Sequence, residues 1–225
     1  MCGRYQLSLP FDELETLFAA VSSASFEPRY NIAPSQGAPV IRANEGARLM
    51  APLTWGLIPP WAPMRGHSRP MINARSETVA EKPTFRESFR YRRCLVPATG
   101  FYEWRREDKQ KQPYLIRIRD APVYAMAGIW SPWESPDGMM ETFGVLTTVA
   151  APSIQPIHER MPVILHPDTY GIWMNPQSGR DQLLELCQPV PDNVLRIDMV
   201  NKRVNSTQYD DPSCEAPPAQ QHRLL

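Results

Sequence analysis

Apolar residues near the start of the chain recur every three or four positions: Phe11, Leu14, Leu17, Phe18 and Val21 share one helical face. Asp12, Glu13 and Glu15 crowd the first turn, where the helix dipole favours acids, so the spacing predicts an N-terminal helix. Thr84 and Glu87 stand at capping-box spacing and predict a second short helix beginning at Thr84. Segments 166–174 and 180–187 read as late surface helices. Between these the pattern is that of strands. Residues 39–42, 49–56, 95–104, 114–119, 123–130, 142–149 and 163–165 are rich in Val, Ile, Tyr and Trp. A polar run at 105–112 joins two of them and predicts a hairpin loop. No repeat period, low-complexity tract or Ser/Gly linker divides the chain. The prediction is one α+β domain over residues 1–208, with a closed or nearly closed, mainly antiparallel sheet and short peripheral helices. Pro212, Pro217 and Pro218 predict a loosely ordered tail over residues 209–225.

Composition narrows the function. The 225 residues are 42% hydrophobic, ample for one core. The longest apolar stretch, 121–130, is half of the ~20 residues a bilayer demands, and the start lacks a basic segment followed by an apolar run. This reads as a soluble, unexported, cytoplasmic protein without a membrane partner. Four cysteines at positions 2, 94, 187 and 214 are too sparse for a disulfide scaffold and too scattered for a zinc knuckle. The 25 prolines, about double ordinary usage, are spread singly and fit many short strands and turns. Lys+Arg 24 balance Asp+Glu 24, which excludes a uniformly basic nucleic-acid binder. The charge is lopsided, however. Residues 1–120 hold 18 basic and 12 acidic residues and carry +6, leaving −6 on the remainder. Only four of the cations are Lys, and the planar fork of Arg suits phosphate, although a GC-rich genome gives the same bias. A basic half folded onto one face offers an anionic strand a positive groove.

The sharpest chemical feature is Cys2 behind the initiator Met1. Aminopeptidases remove Met before small residues, which leaves Cys2 with a free α-amine and a thiol on adjacent carbons. The amine titrates near ~8 and the thiol near ~8.5, so both nucleophiles are populated at neutral pH. The amine condenses with an aldehyde to an imine, and the thiol then closes a five-membered thiazolidine. Alternatively, the amine serves as general base for thiol attack on an amide. A cysteine in second position is also often incidental.

Six blocks then occur in order: MCGRY from Met1, YNIAPSQ from Tyr30, TWGLIPPWA from Thr54, INARSET from Ile72, RCLVPATGFYEW from Arg93 and IHERMPVIL from Ile157. Together they closely resemble the SOS-response-associated peptidase (SRAP) family, from Met1 to about Asn205. The resemblance implies a barrel-like β core with a positive channel, action on abasic sites in single-stranded DNA, and a thiazolidine crosslink from the mature Cys2 to the ring-opened sugar, with no cofactor. Asn73 reads by itself as a turn or capping residue; the resemblance gives it the active-site Asn, orienting the Cys2 amine and the opened sugar. Glu103, between Tyr102 and Trp104, reads as an outward strand carboxylate or as one shielded enough to shuttle protons; the match makes it the active-site Glu. His158 reads as a structural His, and the match gives it the catalytic imidazole that protonates the sugar ring oxygen. The string from His158 to Pro162 lacks the second His of a zincin, so no metal is expected.

Arg4, Arg75 and Arg160 lie within two residues of Cys2, Asn73 and His158 and are expected to clamp phosphates, with Thr147 as a further donor. Trp61 is expected to stack beside the lesion, while Trp55 reads equally as core. Tyr30, Asn31 and Pro34 are expected to pack near the N-terminus, and Cys94, Cys187 and Cys214 to pack as inert thiols. One departure stands out: Asn201 occupies a position where the family commonly has Ser. The expected partner is abasic single-stranded DNA met by a monomer, nucleoid-associated when bound. Two rivals remain at this point, an N-terminal-nucleophile amidohydrolase and a non-catalytic single-stranded-DNA-binding module.

Overall fold

The computed structural model describes residues 2–63, 70–107 and 110–218. In chain order it runs β1 (Tyr5–Leu7), α1 (Phe11–Phe18), β2 (Val21–Ser22), β3 (Arg29–Ile32), β4 (Gly37–Asn44), β5 (Ala47–Trp55), β6 (Asn73–Arg75), α2 (Arg86–Tyr91), β7 (Arg93–Ala98) and β8 (Gly100–Glu107). It continues with β9 (Gln110–Ile118), β10 (Tyr124–Ser135), β11 (Gly138–Val149), β12 (Arg160–Pro162), β13 (Ile164–Leu165), α3 (Tyr170–Met174), α4 (Arg180–Glu185) and β14 (Leu195–Met199). The expected α+β class and barrel-like, mainly antiparallel core are present.

Long apolar strands make the barrel because each can bury one face against the others. β5, β4, β7, β10 and β11 pair antiparallel in that order, and β11 returns to β5 through parallel pairs Thr142–Thr54 and Phe143–Trp55. That last step closes the barrel and removes its edges. Inside, Trp55 stacks on Phe143 with ring centroids 6.3 Å apart, and Tyr5 meets Trp55 edge-on at 5.2 Å. Gly128 lets the wall close, since a Cβ there would lie 2.8 Å from Cys94 Sγ and from Val96 Cγ2. A second, antiparallel sheet, in the order β14-β9-β8-β1-β3, lies beside the barrel.

Several boundaries differ from the sequence reading. The single run expected at 95–104 is two strands: β7 belongs to the barrel and β8 to the second sheet, with the change of sheet at Thr99. Thr99 Oγ1 accepts from the Ser8 backbone N–H at 3.1 Å there. Val21 leaves the helical face because α1 ends at Ala19, whose φ of 46° turns the chain; Val21 sits in β2, 67% exposed. The capping box at Thr84 does not form. Lys82 O accepts from the N–H groups of Phe85 and Arg86, so the chain is already wound before α2 and no side chain caps it. The short strands β1, β3, β6 and β14 escaped the reading because their apolar runs are brief and interrupted by Gln, Asn or Arg.

The part of the tail within the described residues is also held rather than loose, whereas 219–225 lie outside them. Asp210 accepts from the backbone N–H groups of Tyr30 and Asn31 at 2.6 and 2.8 Å and pairs with Arg29. Cys214 is buried in a small cluster with Tyr102, Leu115, Val200 and Val204. Asn31, fully buried, donates through Nδ2 to the carbonyls of Ser206 and Tyr209 at 3.0 and 2.7 Å, and its Oδ1 accepts from Arg4 at 2.7 Å. Removing that amide strands several buried polar groups at once. Asn31→Ala is therefore expected to cost about 3 kcal/mol and to lower Tm by roughly 6–12 °C, read by calorimetry. An unchanged Tm would show that the segment after Asn205 is held by other means.

Candidate active site

The site forms where β1, β6, β8 and the approach to β12 meet. Tyr5 in β1 pairs with Phe101 in β8, and the Tyr102 N–H donates to Arg4 O at 3.0 Å, which sets the first residues of the chain alongside Glu103. From the barrel, β6 lies parallel on β11 with Asn73 opposite Val145 and Arg75 opposite Thr147. Asn73 Nδ2 donates to the backbone carbonyl of Cys2 at 2.8 Å, while Asn73 Oδ1 is buried and, among the described residues, accepts no hydrogen bond. A buried amide oxygen left open is costly, which marks it as an acceptor awaiting a donor.

Cys2 is fully buried, and its Sγ contacts Arg4 O at 3.8 Å. Burial, reinforced by the charge of Glu103, pushes the thiol well above its ordinary range, so it is neutral at pH 7. Glu103 is 2% exposed, and burial lifts its carboxyl to about 7, against the opposing pull of the chain's terminal ammonium group. A carboxyl balanced near neutrality can both take and return a proton. His158, half-buried, accepts from the Arg160 backbone N–H through Nδ1 at 3.0 Å, which leaves the proton of the neutral ring on Nε2. Burial, aided by the terminal ammonium charge, lowers its pKa and favours that neutral form. Cys2, Asn73, Glu103 and His158 thus come from four separate stretches of chain to one place.

The residues expected to grip phosphate are placed differently from one another. Arg75 is exposed at the edge of β6, and Trp61 is 64% exposed. Arg160 is buried and forked onto Glu77 at 2.5 and 2.9 Å, and it also donates to Thr147 O at 2.6 Å. Thr147 is wholly buried in β11, so it supports Arg160 from beneath rather than facing solvent. Arg4 donates to Asn31 Oδ1 and to Val204 O at 2.9 Å, tying the start of the chain to the segment after β14. Trp55 is core, its Nε1 donating to Ile72 O at 2.9 Å. Asn201, where the family commonly has Ser, donates to Ser213 O at 2.7 Å and caps the turn beginning at Lys202.

Sequence reasoning missed Glu77, although it lies within the INARSET block: an acid two residues beyond Arg75 was the available signal. Its carboxyl is held below the usual range, chiefly by the Arg160 hydrogen bonds. It also missed the hydroxyls of Tyr5 and Tyr124, both buried without a hydrogen-bond partner among the described residues and both pushed upward first by burial and then by the Cys2 thiol. Cys94, Cys187 and Cys214 are buried free thiols. Among the described residues no group of His, Cys, Asp and Glu has metal-holding geometry, and no helix is long and apolar enough to cross a membrane.

The family model described as SOS response associated peptidase (SRAP) matches residues 1–207. Abasic site processing protein YoqW of Bacillus subtilis (strain 168) is 37% identical over 218 residues, which are 94% of this chain and 97% of YoqW. Abasic site processing protein HMCES of Xenopus tropicalis is 30% identical over 227 residues, 86% of this chain and 67% of HMCES. A solved protein structure from Bacteroides thetaiotaomicron superposes with a TM-score of 0.88 at 27% identity, covering 97% of this chain and all of the other. With most of its length matched by the family model and a relative of this similarity spanning nearly all of it, the chain belongs to the SOS response associated peptidase (SRAP) family.

Proposed function

We propose that this protein captures abasic sites in single-stranded DNA covalently, through a thiazolidine formed by the mature Cys2, and thereby shields them. The observation that carries the reading is the bond from Asn73 Nδ2 to the Cys2 carbonyl, which pins the aminothiol residue beside a buried carboxyl poised near 7. The names of the relatives, abasic site processing proteins, support the substrate.

Removal of Met1, by the chain itself or by an aminopeptidase, creates the Cys2 amine. As the C1′–O4′ bond of the cyclic hemiacetal breaks, His158 donates its Nε2 proton to the ring oxygen, and the proton released from the C1′ hydroxyl as the aldehyde C=O forms returns to the imidazole. The amine adds to the aldehyde carbon, and loss of water leaves an imine. The thiol then adds to the imine carbon; the C–S bond forms, the C=N π pair becomes the N–H bond, and the thiol proton ends on nitrogen. Because the thiol is neutral at pH 7, it needs a base. Glu103 takes the proton from sulfur and returns one to nitrogen. The open Asn73 Oδ1 accepts from the carbinolamine hydroxyl or the amine. Arg75 meets a phosphate, Trp61 stacks on a neighbouring base, and Arg160 with Glu77 frames the wall behind them. An unpaired strand suits such a site because extruding the lesion breaks neither pairing nor full stacking.

On incubation with an oligonucleotide carrying an abasic site, the mature protein is expected to give a heat-stable adduct on a denaturing gel. Cys2→Ala abolishes it, while Cys2→Ser leaves a weaker, less durable linkage through the amine. Equal crosslinking by all three proteins would exclude the aminothiol mechanism, and the absence of any adduct favours an amidohydrolase or a simple binder.

Since the folded carboxyl is raised to about 7, it becomes an active base above that pH, so the capture rate is expected to climb through pH 7 and level off. Glu103→Gln removes that rise and slows capture at least tenfold, with unchanged DNA affinity. The linkage runs the other way for stability. A carboxyl with a raised folded pKa binds more protons folded than unfolded, so its contribution weakens as pH rises from the ordinary carboxylate range through 7. Glu103→Gln is accordingly expected to raise Tm at pH 8 by roughly 5 °C, measured by thermal melts at pH 5 and pH 8. A variant that melts lower at both would contradict the buried charge.

Arg75→Ala is expected to weaken binding of undamaged single strands about fivefold and to reduce the salt slope of log K by about 0.7, one phosphate contact, while capture at saturating DNA stays intact. Titrations between 50 and 200 mM salt decide it.

A further inference from the structure

Outside the site, a cavity of about 730 Å³ opens between α2 and the turn that leads into α4. Its lining includes Arg86, Arg90, Arg93, Arg180, Tyr91 and Leu183. The floor is the unusual part. Arg93 is 5% exposed, and its guanidinium donates to the carbonyls of Trp173, Phe89, Arg90 and Asn175 at 2.5–2.6 Å. Each partner is a neutral dipole, and among the described residues no carboxylate pairs with it. A cation removed from water without a counter-ion is costly, and an anion entering the cavity relieves that cost. At the rim, Arg86 and Arg90 are exposed and likewise have no described carboxylate partner, while Arg90 lies over the Tyr91 ring at 5.0 Å. Glu87, which also lines the cavity, is paired with Arg92 at 2.6 Å, and Arg180 is paired with Glu81 at 3.0 Å, so the four lining guanidinium groups outnumber the one lining carboxylate.

The cavity connects to the active site through contacts on the same flank. Leu183, in its wall, accepts through its carbonyl from Cys187 Sγ at 3.4 Å, and the Cys187 thiol feels the charge of Glu77. Glu77 is the partner of Arg160, beside His158. The chain from Arg75 to α2 is a compact series of turns, with Thr78, Lys82 and Phe85 each bonded three or four residues apart. At ~1.5–2 Å of rise per residue it spans at most about 20 Å.

We infer that this arginine cavity is a second phosphodiester site, which takes the backbone of the DNA strand flanking the lesion after it leaves Arg75. The inference rests on the reading of the protein as a binder of single-stranded DNA. Two exposed guanidinium groups grip successive phosphates at the rim, and the buried one supplies a fixed positive field beneath them. The site therefore adds affinity and length dependence without touching the reacting atoms.

The test uses the full chain and undamaged single-stranded oligonucleotides of 6 and 24 nucleotides, so it is read whether or not capture occurs. Arg86→Glu with Arg90→Glu is compared with Arg119→Glu with Arg196→Glu, an equal charge change at exposed positions outside the cavity. The cavity variant is expected to bind the 24-mer at least tenfold more weakly, with a salt slope smaller by about 1.4, two single-strand phosphates, and to bind the 6-mer as the parent does. Matching thermal melts confirm that both variants fold. Equal losses in the two variants, or no loss of 24-mer binding, would overturn the inference, and wild-type binding of the 24-mer without any adduct on abasic DNA would count against covalent capture alone.

Discussion

The donor bond from Asn73 to the Cys2 carbonyl is the constraint on which the site depends, because it fixes a residue that polymer physics would leave frayed. Ordering one residue's backbone costs about 1–2 kcal/mol, and one hydrogen bond returns about 1 net. A single bond therefore cannot hold the start of the chain. Here β1 lies between β3 and β8, so its register is set from both sides before Asn73 acts. Asn73 in turn is only as well placed as β6, whose position follows from the closed barrel through β11. Closure of the barrel thus sets the position of Cys2.

The two sheets divide the work between them. The barrel supplies Asn73, Arg75 and, at its rim, His158 and Arg160, while the second sheet carries Glu103 and the residues leading from Cys2. The proposed reaction requires that these meet in a dry place, and dryness is what shifts the titratable groups. Burial of the Cys2 thiol and the Glu103 carboxyl raises both; only the carboxyl's shift opposes folding at neutral pH, and the proposed chemistry uses that carboxyl as the acceptor of the thiol's proton. The cationic residues follow the same division. Those facing inward, Arg4 and Arg160, are engaged in bonds that shape the walls, whereas Arg75 faces out.

Much of this was legible in the sequence, and the legible part has a physical reason. Long apolar strands such as β5, β10 and β11 announce themselves because the pleat demands alternating or continuous burial. Cys2 could be named from its place behind Met1, whereas Asn73, Glu103 and His158, each with an ordinary structural reading of its own, were named through the blocks that resemble the SRAP family. What stayed hidden is pairing over distance. The parallel step from β11 to β5, the sheet change at Thr99 and the strand character of the three-residue β6 are decided by partners far along the chain. The partners of the arginines were hidden for the same cause: nothing local to Arg160 shows that Glu77 will fill its fork, and nothing near Arg4 points to Asn31 or Val204. Thr84 illustrates the opposite error, in which a valid local signal was overridden by turns already formed upstream of it.

The bond between Arg4 and the Val204 carbonyl joins positions two hundred residues apart in sequence. During translation, Tyr5 emerges from the ribosome long before Phe101, its partner in β8, and longer still before Val204 exists. The leading segment therefore remains unpaired and accessible while most of the polypeptide is being made, then vanishes into the interior when the final turns dock. The finished molecule keeps its second residue, Cys2, fully buried, so the thiol leaves bulk solvent only when those last turns dock.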